Sequence, residues 1–272
     1  MESVMRKYGW KPSKPDPRDH KLAIANPELY KTLPASVDLR SLVPEVLNQG
    51  ELSSCTAHAL SMAVRIARIK QGLTDIPLSR LFIYFNERLV EGTINEDCGA
   101  QLRDGAKVIA RYGVPDESLW QYIDSNLYVE PTQDAYKAAI QDEVLHYLAV
   151  NQSLNEMKLC LHEGFPFVFG ATLFPEFESD QVAATGIVPM PTGNNQPIGG
   201  HAIIAVGYDD KTQLFTVLNS WGNQWGDHGY CYFPYDYLTN LELCTDLWTI
   251  RTIAPTDADR KWIVPTISEI NS

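Results

Sequence analysis

Between Ser54 and Gly72 the apolar positions are Ala57, Leu60, Met62, Ala63, Val64, Ile66, Ala67 and Ile69. Plotted at 3.6 residues per turn they cover much of the circumference, which predicts a largely buried helix. Ser53-Ser54 stand where a cap is needed, and Arg65, Arg68 and Lys70 fall late, where the helix dipole favours cations. Gly72 is a natural stop. Helical spacing recurs over 79–90, 103–112, 132–149 and 153–163. After that the period changes. Residues 165–173, 201–208, 214–218 and 230–233 are short runs rich in Val, Ile, Phe and Tyr, separated by glycines and by the turn signal Asp209-Asp210-Lys211-Thr212. Helices followed by strands predict an α+β fold with two subdomains.

Residues 1–36 follow neither pattern. Pro12, Pro15, Pro17, Pro27 and Pro34 are spread among charges, and each biases its predecessor towards extended backbone. The expectation is an extended arm with at most a short helix near 26–31. Tyr8, Trp10, Leu22, Ile24, Leu29 and Tyr30 give that arm something to bury against a surface.

Composition narrows the function classes. The 272 residues are 44% hydrophobic and 21% charged, enough to build a core. The formal net charge of −12 argues against nucleic acid or an anionic membrane surface as partner. No apolar run is long enough to span a bilayer, and the start lacks a signal-peptide pattern. The expected location is therefore the cytosol, with signal-independent export as an alternative. Five cysteines is an odd number, so at least one thiol stands outside any intrachain pair.

Cys55 opens the buried helix, where the dipole favours a thiolate. A reactive cysteine also needs a base, a group that orients the base, and an oxyanion site. His201 heads a strand behind Gly199-Gly200, which allow close backbone approach, and Asn219 ends the next strand, followed by Ser220-Trp221-Gly222. If those strands pair, the Asn219 amide oxygen can accept from one imidazole N–H while Trp221 covers the contact. Gln49 can donate to a developing oxyanion alongside the Cys55 backbone N–H. No H-E-x-x-H, paired C-x-x-C or phosphate-binding glycine loop occurs, so neither a metal nor a cofactor is expected.

Gln49-Gly50, Ser54-Cys55, Gly200-His201-Ala202 and Asn219-Ser220-Trp221-Gly222, in that order, together with Trp-Gly-x-x-Trp-Gly and Gly229-Tyr230, resemble the papain family of cysteine peptidases. The resemblance runs from Val37-Asp38-Leu39-Arg40 to about Thr252. Tyr8-Gly9-Trp10-Lys11-Pro12 and Leu102-Arg103-Asp104-Gly105 are most similar to bacterial members of the xylellain type. It implies a two-lobed fold in which a helical lobe (mainly 50–150) carries Cys55, a β-barrel lobe (mainly 151–253) carries His201 and Asn219, and a cleft lies between them. The catalytic unit is then 37–253 and the tail 254–272. The implied activity is peptide-bond hydrolysis through a thioester: Cys55 attacks, His201 exchanges the proton, Asn219 orients His201 and Gln49 binds the oxyanion. The implied specificity pocket lies near Leu102, Gly170, Gly199 and Gly200 and is expected to be apolar with no charge at its base. Gly99, Trp221 and Trp225 count as further substrate-side residues. The partners expected are peptide or protein substrates and the chain's own arm, and the molecule is expected to be a monomer.

Two departures from the family pattern stand out. Leu52 replaces the cysteine usual three residues before the nucleophile, and Thr56 replaces an aromatic residue just after it. The first fits a chain without disulfides. Cys231 and Cys244 are the pair expected on oxidation, but Cys98, Cys160, Cys231 and Cys244 are all expected to be free, with Cys98 partly exposed. Residues 1–36 are short for the common propeptide. They are expected to be an inhibitory prosegment lying across or beside the cleft, with a permanent structural strap as the rival. His58, one turn after Cys55, is a rival base expected to be structural; His20, His146, His162 and His228 are assigned no chemistry. A binding protein with a permanently blocked cleft, or another Cys–His acyltransferase or amidase, are the alternative functions.

Overall fold

A computed structural model describes residues 7–22, 27–140, 144–193 and 195–253. The expected tail 254–272 lies outside them, as do Ile24 and Asn26. The first three main helices stand close to where the apolar periodicity placed them: α1 is Cys55–Lys70, α2 Arg80–Glu91 and α3 Leu102–Tyr112. Ser79 Oγ caps α2 by accepting from the Phe82 amide at 3.2 Å, and Gly92 ends it in the left-handed region at φ 73°. Ser54 precedes α1 but makes no side-chain cap, contrary to expectation. Its hydroxyl is engaged by the Tyr122 hydroxyl at 2.6 Å and by His58 Nδ1 at 3.3 Å. Arg65 is buried on α1 because its guanidinium forks onto Asp75 at 2.8 and 2.7 Å and also meets Glu45.

The helix expected over 132–149 is two elements, α4 (Gln133–Ala139) and strand β2 (Val144–Ala149). Val144, Tyr147 and Leu148 pair across to β7 (Cys244–Ile253), a strand the sequence reading did not assign. That pairing overrides local helix propensity. A short β1 (Ser36–Asp38), α5 (Leu154–His162), β3 (Phe167–Leu173), α6 (Asp180–Thr185), β4 (Gly199–Asp209), β5 (Leu214–Leu218), β6 (Tyr230–Pro234) and α7 (Tyr235–Thr239) complete the described elements. The arm's short helix is a 3-10 turn over Pro27–Thr32.

All the named strands pair antiparallel in one sheet, in the order β2-β7-β3-β4-β5-β6, with β1 added beside β4. Among the described residues β2 and β6 do not pair with each other. The sheet therefore stays open, which corrects the expected barrel. The β2 edge is met by the arm: the Leu22 amide donates to Ala149 O and the Ala149 amide to His20 O, both at 2.8 Å. Covering an edge this way removes a pairing hazard.

The period of 2 along β4 divides the core. Ala202, Ile204 and Val206 pack into the cluster containing α1, α2 and α3. Ile203 and Ala205 pack on the other side with Phe167, Phe169, Phe215 and Phe233. A strand covered on both faces reads as a continuous apolar run, as 202–206 does.

Candidate active site

The β4–β5 register pairs Ile204 with Leu218, so Asn219 follows the last paired residue of β5 near the start of β4. His201 Nε2 and Asn219 Oδ1 are 2.8 Å apart. Asn219 Oδ1 also accepts from the Ser220 amide at 2.8 Å, which identifies it as the oxygen. Nε2 therefore carries the proton, and Nδ1 is the nitrogen available to exchange one. Trp221 lies over the imidazole with ring centroids 5.1 Å apart and planes at 31°. Trp225 and Phe177 support Trp221 from behind, at 5.0 and 5.2 Å.

Cys55 is the first residue of α1 and fully buried. Its Sγ accepts the backbone N–H of Ala202, the residue after His201, at 3.4 Å. The helix N-terminus and the strand start thus meet at the sulfur. Burial pushes the thiol pKa up to about 11, although the backbone amides of Ala202, Gly9 and Thr56 favour the thiolate.

Gln49 is held amide-first. Ser220 Oγ donates to its Oε1 at 2.6 Å, so Nε2 turns to Leu52 O at 2.9 Å and Lys7 O at 3.3 Å. The role of Ser220 was not read from the sequence. It adjoins Asn219 and fixes two candidate site residues at once. His58 is elsewhere engaged: Nδ1 contacts Ser54 O at 2.9 Å, and burial drives its pKa down to about 3. A histidine so resistant to protonation fits the structural role expected of it. Next to the nucleophile, Thr56 donates to the buried Glu87 carboxyl at 2.8 Å.

The arm threads this site. Gly9 O accepts from the Ala100 amide at 2.7 Å, the Lys11 amide donates to Ala100 O at 3.0 Å, and the Trp10 amide donates to Gly200 O at 2.9 Å. Trp10 and Ala100 form a parallel bridge. Tyr8 meets the His201 ring edge-on at 6.1 Å. Gly9 and Gly99 face each other so closely that a Cβ on Gly99 would lie 1.9 Å from Gly9 O, while one on Gly9 would lie 1.8 Å from Ser53 O. Salt bridges flank the passage: Lys7–Asp97 at 2.8 Å, Lys11–Glu91 at 3.2 Å and Arg103–Asp19 at 3.1 Å.

Leu102 opens α3 and is fully buried. Gly170, Gly199 and Gly200 all abut the arm: a Cβ on Gly170 would enter the Trp10 indole, one on Gly200 would touch it at 2.8 Å, and one on Gly199 would meet Tyr8 at 2.6 Å. The surroundings are not free of charge as expected. Asp246 Oδ2 accepts the Trp10 indole N–H at 3.1 Å. All five cysteines are free, and Cys98 is half-buried beside Lys11 Nζ at 3.2 Å.

The family model for papain family cysteine proteases matches residues 33–244. The chain belongs to the papain family. A peptidase C1-like protein of Acanthamoeba polyphaga mimivirus, itself uncharacterised, is 40% identical over 92% of this chain and 88% of its own length. The crystal structure of xylellain, a cysteine protease from Xylella fastidiosa, aligns at 37% identity with a TM-score of 0.85, covering 91% of this chain and 96% of that one. Mouse pro-cathepsin H is 29% identical over 72% of this chain, which spans 59% of that longer protein. A papain-family member of this kind is a peptide hydrolase of the cysteine type.

Proposed function

We propose that this papain-family chain is a cysteine endopeptidase whose catalytic residues are Cys55, His201, Asn219 and Gln49, made with residues 1–36 as a prosegment that stoppers the cleft. The observation that carries the reading is the His201–Asn219 bond at 2.8 Å set beside a sulfur that contacts the next residue of the same strand. In the reaction, the Cys55 thiol proton passes to His201 Nδ1 as sulfur bonds to the scissile carbonyl carbon. The carbonyl oxygen becomes the oxyanion, met by the Cys55 N–H and Gln49 Nε2. Collapse of the tetrahedral adduct breaks the C–N bond, and the imidazolium gives its proton to the departing amine. Water, deprotonated by His201, then opens the thioester and returns the thiol. Asn219 holds the ring through both transfers.

The arm occupies these places. Lys7 O sits at Gln49 Nε2, where the oxyanion would form, and the Gly9 amide meets the sulfur. Neutral and charged contacts on both sides of Gly9 hold the arm over the site, which is what lets it block access to Cys55.

The test is hydrolysis of unstructured protein and fluorogenic peptides by the full chain and by its Trp10→Gly variant, with the arm followed by mass spectrometry. Turnover that rises in Trp10→Gly, disappears in Cys55→Ser and His201→Ala, and persists in His58→Ala supports the reading. Loss of the first residues on activation marks a prosegment. Activity that survives His201→Ala, or absence of turnover in every form, overturns it in favour of a blocked binding protein or a different acyl transfer.

A further inference from the structure

Resting on the reading above, we propose that Asp97 is a positioning residue for the reaction: its carboxylate braces the turn that carries Gln49 and Cys55 against the segment 97–99, and so aims the oxyanion donors. Gln49 begins that turn and Cys55 follows it, so any shift of the turn moves both donors and the sulfur together. Gly50 enters it in the left-handed region at φ 59°, and the Leu52 amide closes it on Gln49 O at 3.3 Å. Beyond that point the turn leans on Asp97. The Ser53 amide donates to Asp97 Oδ1 at 3.0 Å, and Ser53 Oγ donates to Asp97 O at 3.2 Å. Two bonds between the same two residues fix both the separation and the tilt of the peptide that leads to the Cys55 N–H. All five cysteines are free, so hydrogen bonds and not a disulfide hold this junction.

A brace must itself be anchored, and α2 anchors this one. The Tyr84 hydroxyl, on a fully buried side chain, donates to Asp97 Oδ1 at 2.8 Å and accepts from the Gly99 amide at 3.0 Å. One turn later the buried Arg88 donates to Ile94 O at 3.0 Å and Glu96 O at 3.2 Å. The segment is thus fixed just before and just after Asp97. The carboxylate is 7% exposed. Burial opposes its ionisation, but donation from Lys7, Tyr84 and Ser53 holds it below the usual carboxylate range. Its two oxygens divide the work. Oδ1 serves Ser53 and Tyr84, while Oδ2 takes the arm's Lys7 at 2.8 Å. Departure of the arm removes Lys7 and leaves the bonds to Oδ1, so the brace outlasts the arm. An alanine at 97 would instead strand the Ser53 amide and the Tyr84 hydroxyl, and the turn would relax to satisfy them.

The experiment uses the full chain with Trp10→Gly as parent and adds Asp97→Ala, Asp97→Asn or Tyr84→Phe. kcat and KM are measured with one fluorogenic peptide, and amide exchange of the segment 51–56 is followed by mass spectrometry. Misplaced oxyanion donors predict a kcat lower by roughly thirtyfold in Asp97→Ala, with KM within about twofold of the parent. Exchange of 51–56 speeds up by about tenfold or more in the same chain. Asp97→Asn keeps an acceptor for the Ser53 amide, so it restores kcat to within about threefold and slows exchange again. Tyr84→Phe lowers kcat by about tenfold alone and little further on top of Asp97→Ala, because both remove one brace. A kcat moved less than about twofold in Asp97→Ala, a loss confined to KM, or an Asp97→Asn chain as impaired as Asp97→Ala overturns the assignment. Should Asp97→Ala not fold, Tyr84→Phe reads the same brace from its other end, and an unmoved kcat there overturns it. Faster exchange in Asp97→Ala with no turnover in the parent leaves the brace supported and the peptidase reading refuted.

Discussion

At the scale of single residues, the site is a set of side chains whose atoms are individually assigned. Asn219 Oδ1 is pinned by the Ser220 amide and Gln49 Oε1 by the Ser220 hydroxyl, so one residue outside the proposed catalytic set orders two within it. Ser220→Ala is expected to lower kcat by about tenfold through looser Gln49, against about a hundredfold for Gln49→Ala, measured with one fluorogenic peptide. The thiol makes a pH prediction. Burial raises its pKa to about 11, so with the arm in place Cys55 stays a protonated thiol through neutral pH, and its alkylation rate climbs until the pH passes that value. In the full-length Trp10→Gly variant, solvent reaches the sulfur and the midpoint of the rate profile moves down by a unit or more. An unmoved midpoint would mean that the arm does not desolvate the thiol. Cys55, His201, Asn219 and Gln49, the proposed catalytic residues, could be named from the sequence because side-chain type, order and neighbours carry the resemblance, and the fold brings them together. Ser220 was not. It acts through an atom that only the fold brings near, and a serine carries no sign of its partner.

At the scale of elements, the sequence spoke most clearly where one periodicity held. α1, α2 and α3 bury stripes that recur every 3.6 residues, and β4 buries both faces, so their positions followed from local pattern. Residues 132–149 misled because α4 ends at Ala139 and β2 starts at Val144, with a bulged pairing to β7 that no local window contains. The barrel came from resemblance, and the sheet edges decide against it. α1 also carries a buried load that titrates. His58 has a folded pKa of about 3 against an ordinary 6.5. The folded state thus resists the proton, and stability present above pH 6.5 is lost as the pH falls towards 3, by on the order of 5 kcal/mol. His58→Gln is expected to shift the acid-unfolding midpoint to lower pH; an unchanged midpoint would contradict the burial argument. Glu87 on α2 runs the other way. Burial raises its pKa well above the ordinary carboxylate range, so its stabilising protonated form is lost as the pH rises. Glu87→Gln should therefore raise the thermal midpoint more at pH 8 than at pH 4, and the reverse order would contradict that sign.

At the scale of the whole molecule, an arm of a few tens of residues ties together the parts that make the cleft. It pairs with Ala100 from the helical side and Gly200 from the sheet side, places Trp10 between Gly170 and Asp246, and later covers the β2 edge at Ala149. All five thiols are free, and the one proposed as nucleophile, Cys55, is the one that the arm's Gly9 amide meets. The most direct measurement is the second-order rate at which a peptidyl epoxide labels Cys55, located by mass spectrometry, in the full chain and in its Trp10→Gly variant. The account predicts labelling confined to Cys55, at least tenfold faster in Trp10→Gly and abolished by His201→Ala in either form. Equal rates in the two chains, or labelling that survives loss of His201, would contradict it.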